Sequence, residues 1–189
     1  MIRTYRFDAA ALFPSRAEAL AYLRVRGTPD AATDALLTDC FAELSEISDC
    51  RCRAGVLPIT IADSIHPSLR QTRLQGCQHF LLFCATVGTS LDRRIARYAH
   101  TAPARAAVLD AAGGALVEAL CDKLTETLAA ELAPSTIGNR FSPGYGKLPL
   151  EAQRQIHKIL ELSRIGVGLN DSLLFSPSKT VTALMPIHS

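Results

Sequence analysis

Leu109, Ala112, Leu116, Leu120, Leu124 and Leu128 recur on a helical period through residues 104–132, which predicts one long helix as the spine of whatever core the chain builds. A helix with an apolar stripe of that length must bury it against another layer, so the remaining segments have to supply that layer. Gly113-Gly114 lies inside the stretch. Each glycine costs about 1 kcal/mol relative to alanine in a helix, so another backbone or a ligand is expected to come close there, with close helix packing the simpler cause. At 189 residues, 48% of them hydrophobic, the chain has material for one core and too little for two.

The candidates for the opposing layer are strands at 56–61 and 79–87, the second a nearly continuous apolar run suited to the middle of a sheet. Ser15-Arg-Ala-Glu18 is a capping box that should open a helix over 16–25. Thr28-Pro29-Asp30 opens the next, with Pro29 at its first position and Leu36, Leu37, Cys40, Phe41, Leu44 and Ile47 at helical spacing. Its other side carries Asp30, Asp34, Asp39, Glu43, Glu46 and Asp49, read as a solvated face or as an acidic docking surface. Gly88-Thr89-Ser90 caps a helix through Leu91, Ile95 and Tyr98, and Pro149 opens one that runs with Ile156, Ile159 and Leu160 inward to a stop at Gly166. Two short strands at 172–175 and 180–185 flank a turn and close the chain as a hairpin. The reading is a single α+β domain over 1–189, with a helical part at about 1–54 and a sheet and helix core at about 55–189. The core is a mostly antiparallel twisted sheet packed with long helices.

Charge and composition narrow the function. Twenty Lys+Arg against eighteen Asp+Glu leave +2, which is not the basic footprint of a nucleic-acid binder. No apolar run approaches the roughly 18 residues of a membrane span. Arg3, Arg6 and Asp8 near the start argue against a secretory signal, so a cytoplasmic location is expected. The six cysteines, at 40, 50, 52, 77, 84 and 121, are then read as reduced core or surface thiols. Cys50-Arg-Cys52 has one intervening residue, tighter than zinc pairs use, and no His/Cys pair matches it, so no structural metal is expected. Neither a dinucleotide-binding GxGxxG nor a P-loop occurs, and no Ser/His/Asp or Cys/His constellation stands out.

The unusual segment is the loop Arg140-Phe-Ser-Pro-Gly-Tyr-Gly146. Arg140 offers a planar fork for a carboxylate, Gly144 lets backbone groups approach a ligand, and Tyr145 adds a ring face and a hydroxyl. Such a set suits a small zwitterion with a flat ring, and equally an arginine-capped loop whose tyrosine packs on a helix. The run Arg140 to Gln153 closely resembles the stretch that marks the reactivation domain of cobalamin (vitamin B12)-dependent methionine synthase, in its short stand-alone form. Ala85-Thr-Val-Gly88 with Leu91-Asp92, Leu109 to Gly113 with Val117-Glu118-Ala119, Ile165-Gly-Val167 and Pro177 to Thr182 are similar to that family's other signatures, and Val56-Leu-Pro-Ile59 to its first strand. Where that family usually has Thr-Glu-Ser, this chain has Asn170-Asp171-Ser172.

The resemblance implies a repair task in methionine biosynthesis. Such a domain presents S-adenosylmethionine so that reduction of inactive cob(II)alamin is trapped by methyl transfer, a reductive methylation. Carried over by residue, Arg140 would hold the ligand carboxylate and Glu118 a polar group such as the α-amino. Ser142, Gly144 and Tyr145 would contact the adenosine end, largely through backbone groups. The chain has no room for a cobalamin module. The resemblance therefore implies a component acting in trans on a corrinoid methyltransferase, with an electron donor such as flavodoxin or ferredoxin and no catalytic constellation of its own. The alternative is a non-catalytic docking partner of a corrinoid protein that does not bind S-adenosylmethionine.

Overall fold

The computed structural model describes residues 1–188. Its elements, in chain order, are β1 (Ile2–Phe7), α1 (Arg16–Tyr22), α2 (Ala31–Ile47), β2 (Cys50–Pro58), α3 (Ala62–Ile65), β3 (His79–Thr86), α4 (Thr89–Thr101), α5 (Pro103–Leu132), β4 (Thr136–Ile137), α6 (Ala152–Ile159), β5 (Gly168–Leu169), β6 (Phe175–Ser176) and β7 (Thr180–His188). Five strands form one antiparallel sheet in the order β1-β2-β3-β7-β4, and β5 and β6 form a separate two-stranded ribbon. The fold is α+β, as the sequence indicates.

The apolar run of β3 is divided by the strand's period of two. Leu81, Phe83 and Ala85 enter one core with α1, α2, α4 and α5, while Phe80, Leu82 and Cys84 enter a second under α3, α6 and the 3-10 turn Leu162–Ile165. The sheet is thus covered on both faces, so where chain length suggests one core the sheet divides the apolar interior into two, and β3 lies in the middle with β2 and β7 beside it. The long helix forms as expected, with Leu109, Leu116, Leu120 and Leu124 buried. Its two glycines mark close packing. A Cβ on Gly113 would lie 2.5 Å from Leu91 of α4, and one on Gly114 would lie 3.0 Å from the ring of Tyr22.

Several expectations are corrected. The helical part assigned to 1–54 begins with an edge strand, β1, and ends inside the sheet, because β2 starts at Cys50 rather than at 56 and gives way at 59–61 to a 3-10 turn. Cys50, Cys52 and Ala54 form the inward face of β2, and Arg53 opposite them is only 6% exposed. Arg53 donates to the carbonyl of Leu160, to Thr4 at 3.1 Å and to Glu161 at 3.0 Å. That anchor also explains why the helix expected to run from 149 to Gly166 is interrupted: the Leu160 carbonyl is held by Arg53 and Glu161 is left-handed, at φ 49°. The terminal hairpin does not form. Strand β6 pairs with β5, while β7 pairs with β3 over eight residues. The turn between β6 and β7 is instead fixed to α4, where Asp92 accepts from Ser178 N at 2.8 Å and Ser178 Oγ at 2.6 Å.

Helix α2 starts two residues later than Pro29 suggests, at Ala31, since Asp30 is its cap and accepts from Thr33 N at 2.7 Å. Its acidic face is largely neutralised by arginine. Arg16 pairs with Asp34, Arg94 and Arg105 meet Glu43 at 3.0 and 2.7 Å, and Arg51 meets Asp49 at 3.2 Å. All six cysteines are buried and unbridged. Burial pushes the Cys50 and Cys121 thiols up to about 12 and Cys40 to about 11. Among the described residues, no group of three or more His, Cys, Asp or Glu could hold a metal, and no helix is long and apolar enough to cross a membrane.

Edge strand β4 continues past its two paired residues in a way that matters for the site. Thr136 and Ile137 face His188 and Ile187, Gly138 N–H donates to the Pro186 carbonyl at 2.8 Å, and Phe141 then pairs with Leu184. Three residues span what two would in regular pairing, so Asn139-Arg140 forms a bulge. Gly138 is required where it sits, because a Cβ there would lie 2.5 Å from Pro186 Cγ. Gly138→Ala should therefore lower stability by about 1–3 kcal/mol, the usual effect of overpacking, as measured by denaturant unfolding.

Candidate functional site

Asp110, Gly114, Glu118, Asp122 and Glu126 stand four residues apart on α5, so they form one ridge with about 6 Å between steps. Each position meets a different part of the fold. Asp110 Oδ1 is 2.9 Å from Nζ of Lys179, the residue before β7. Gly114 lies under the ring of Tyr22, the last residue of α1. Glu118 accepts from Arg140, and Asp122 is 3.8 Å from the same guanidinium. The bulge after β4 is what turns Arg140 off the sheet edge and onto this ridge.

The loop that follows is tied down at both ends. Phe141 and Leu184 exchange both backbone hydrogen bonds, at 3.0 and 2.9 Å. Gly144, at φ +89°, donates to the Leu148 carbonyl at 2.9 Å, and Tyr145 N–H donates to the Ser142 carbonyl at 3.3 Å. Two of the backbone donors expected to face a ligand are therefore held inside the loop. What the loop exposes is Gly144 and Tyr145, the latter 77% exposed, while Ser142 is half-buried. Two shallow grooves run along the ridge on either side of Tyr22 and Glu18. One, of about 280 Å³, is bordered by Phe13, Glu18, Asp122 and Glu126. The other, of about 550 Å³, is bordered by Tyr22, Arg24, Asp110, Val117 and Lys179.

The electrostatics are unbalanced toward negative charge. Glu118 and Asp122 meet the one guanidinium of Arg140, and Glu18 lies beside Tyr22 on the neighbouring helix. Burial opposes charge on Arg140, but Cys121, Glu118 and Asp122 outweigh it and hold its pKa above the ordinary arginine value. Its Nη1, buried, has no hydrogen-bond partner among the described residues. Tyr22 donates to Glu18 at 3.3 Å. Burial, then Glu18 and Glu118, raise the Tyr22 pKa.

Of the residues singled out in the sequence, Arg140 and Glu118 touch. Ser142, Gly144 and Tyr145 lie on the loop that Arg140 opens. Tyr22, Glu18 and Lys179 escape sequence reading. The one signal for them is the Gly113-Gly114 pair, which marks where something presses on α5 without saying what.

In three dimensions the chain is similar to the crystal structure of the MetH reactivation domain bound to AdoHcy, with a TM-score of 0.71. The two are 15% identical, and the match covers 100% of this chain and 78% of that one. The chain thus has the fold of that reactivation domain. No protein-family model and no curated protein matches its sequence.

The crowding of carboxylates makes a prediction about stability. Burial, then Glu118, hold the Glu18 carboxyl above the ordinary glutamate range. The folded state binds that proton more tightly than the unfolded state, so its contribution is present below about pH 4.3 and is lost as pH rises through the raised value. Glu18→Gln, neutral at every pH, should melt higher than the wild type at neutral pH and lose that advantage in acid. Thermal unfolding at the two pH values checks this.

Proposed function

We propose that the chain is an S-adenosylmethionine-binding reactivation subunit that supports reductive methylation of cob(II)alamin on a separate corrinoid methyltransferase. The observation that carries the reading is the meeting of Arg140, Glu118 and the Tyr145 loop on an open face. There a buried guanidinium nitrogen has no partner and a left-handed glycine leaves the backbone uncovered. The donor set fits a zwitterion bearing a sulfonium. Arg140 would take the carboxylate, Glu118 the α-amino group, and the Ser142 hydroxyl, the Gly144 carbonyl and Tyr145 the adenosine end. The AdoHcy held by the reactivation domain of the same fold supports this choice of ligand.

When bound, S-adenosylmethionine supplies an activated methyl group on a positively charged sulfonium that is already a good leaving group. The residues of this chain then need only hold and aim it, which is catalysis by positioning. No side chain has to move a proton. The cobalamin and the electron arrive on partners, the second from a donor such as flavodoxin or ferredoxin.

Calorimetry tests the binding step. Arg140→Ala should lose roughly 1.5–3 kcal/mol, about ten- to a hundredfold in affinity for S-adenosylmethionine, with Lys rescuing only in part because it lacks the planar fork. Absence of binding by the wild type would leave the chain as a docking partner that takes no ligand.

The second step is tested optically. Conversion of a cob(II)alamin-stalled methyltransferase to its methylated form should require the chain, a low-potential reductant and S-adenosylmethionine together. The Arg140→Ala variant should be defective. An unchanged rate without the chain would overturn the reactivation role.

A further inference from the structure

The loop after Arg140 borders a second groove that the candidate site does not use. It forms where residues 141–148 meet the turn at 68–73, and its volume is about 350 Å³. That lies within the roughly 300–1,000 Å³ of small-molecule sites. Its charge is the reverse of the ridge on α5, because no carboxylate lines it. Both stretches that build it are free of acid over a longer span, with no Asp or Glu from 64 to 91 or from 132 to 150. Of the acids that bound those spans nearby, Asp63 is taken by Arg70 at 2.9 Å, and Glu151 stands at the head of α6 outside the lining.

The groove holds donors without acceptors. The Arg73 guanidinium lies 5.8 Å from the centroid of the Phe141 ring, a cation–π contact that places its charge at the wall. Phe141 is itself pinned to β7 through Leu184. Lys147 is exposed on the opposite wall, and among the described residues neither cation meets a carboxylate. Gly146 is left-handed, at φ +62°, and the successive backbone N–H groups of Gly146 and Lys147 have no acceptor among the described residues. Consecutive free N–H groups at such a turn favour an anion. The two hydroxyls of the lining are already engaged, Ser68 with His66 at 2.8 Å and Thr72 with the Ser68 carbonyl at 2.7 Å.

We propose that this groove is a second binding site, for a phosphorylated small molecule that carries a planar ring. Arg73 and Lys147 take the phosphoryl oxygens, the first with its fork and the second as a point charge, and the N–H groups of Gly146 and Lys147 complete the cradle. The exposed ring of Tyr145 offers a face for the planar group. S-adenosylmethionine is not the occupant, because its sulfonium and α-amino group would meet two cations and no carboxylate. The site therefore stands independently of the reading given under Proposed function. Tyr145, which borders both, cannot separate them, whereas Arg73 and Lys147 can.

The test titrates nitrogen-15-labelled protein with adenosine 5′-monophosphate, inorganic phosphate and adenosine, reading amide shifts by NMR and affinity by calorimetry. The nucleotide should bind about tenfold or more tightly than either fragment and shift the Gly146 and Lys147 amides. Arg73→Gln and Lys147→Gln should each weaken it about tenfold, the usual loss of a charge-assisted contact. Lys147 is exposed and free of contacts that hold the fold, so its variant keeps the test sound if Arg73→Gln unfolds. Arg140→Ala should keep nucleotide affinity within about twofold of the wild type, since that residue is not in the lining. Adenosine or phosphate binding as tightly as the nucleotide, shifts confined to other amides, or nucleotide affinity lost in Arg140→Ala but kept in Lys147→Gln would each overturn the proposal. None of these results bears on S-adenosylmethionine binding, which is read separately in the Arg140→Ala calorimetry.

Discussion

Strand β3 is buried on both faces, and the rest of the architecture follows from that constraint. A strand with Phe80 and Leu82 on one side and Leu81 and Phe83 on the other cannot lie on a surface, so the sheet must carry a layer of helix on each face. The longer helices take one face because α5, at 30 residues, is the element able to cross most of the sheet. The shorter α3, α6 and the turn after it suffice for the other. Arg53 crosses between them, tying β2 and β1 to the end of α6 through Leu160, Glu161 and Thr4.

The candidate site arises where this layering stops. At the β4 edge the pairing with β7 is short. The missing N–H of Pro186 would point toward that side, a position at which proline is tolerated in a sheet. The bulge that follows converts the edge into a support for Arg140, and α5 beneath it supplies carboxylates at every turn. The site therefore combines a rigid floor, a fixed arginine and an exposed loop whose own hydrogen bonds hold its shape. The proposed positioning role would draw on this combination, because it depends on groups held in place rather than on groups that react.

How much of this could be read beforehand differs by element, for physical reasons. The helix through residues 104–132, the Ser15 cap of α1 and the central strand announce themselves through local period and capping, which act within a few residues. Strand β1 and the first half of β2 do not, because their faces mix arginine with apolar groups. Only the tertiary fold decides that Arg53 is buried and Arg6 is exposed. The parting of β6 from β7 is hidden for the same reason: the Ser178 to Asp92 contact that fixes the turn between them joins residues far apart in sequence. Within the site, Arg140, Ser142, Gly144 and Tyr145 belong to one contiguous motif and were legible together. Glu118 became legible through resemblance. Tyr22 and Glu18 reach the ridge only because α1 docks on α5, and nothing in residues 15–22 shows where that helix will land.

The register of the central strands has a consequence for how the chain reaches this structure. Strand β2 can pair with β3 soon after both exist, but the other neighbour of β3 is β7, with His79 opposite Ile187 and Thr86 opposite Thr180. Roughly a hundred residues separate these partners, and most of the helical layer lies between them in the chain. Until β7 arrives, an apolar strand has one open edge, and β4 has nothing to pair with at all. Closing so long a loop is entropically slow compared with forming α5 or α2, so the helices should form early and the sheet be completed last. The Arg140 bulge, anchored to β7 at Leu184, is therefore among the last features to take shape. During synthesis the chain would pass through a stage in which most of its core is assembled and its candidate site does not yet exist.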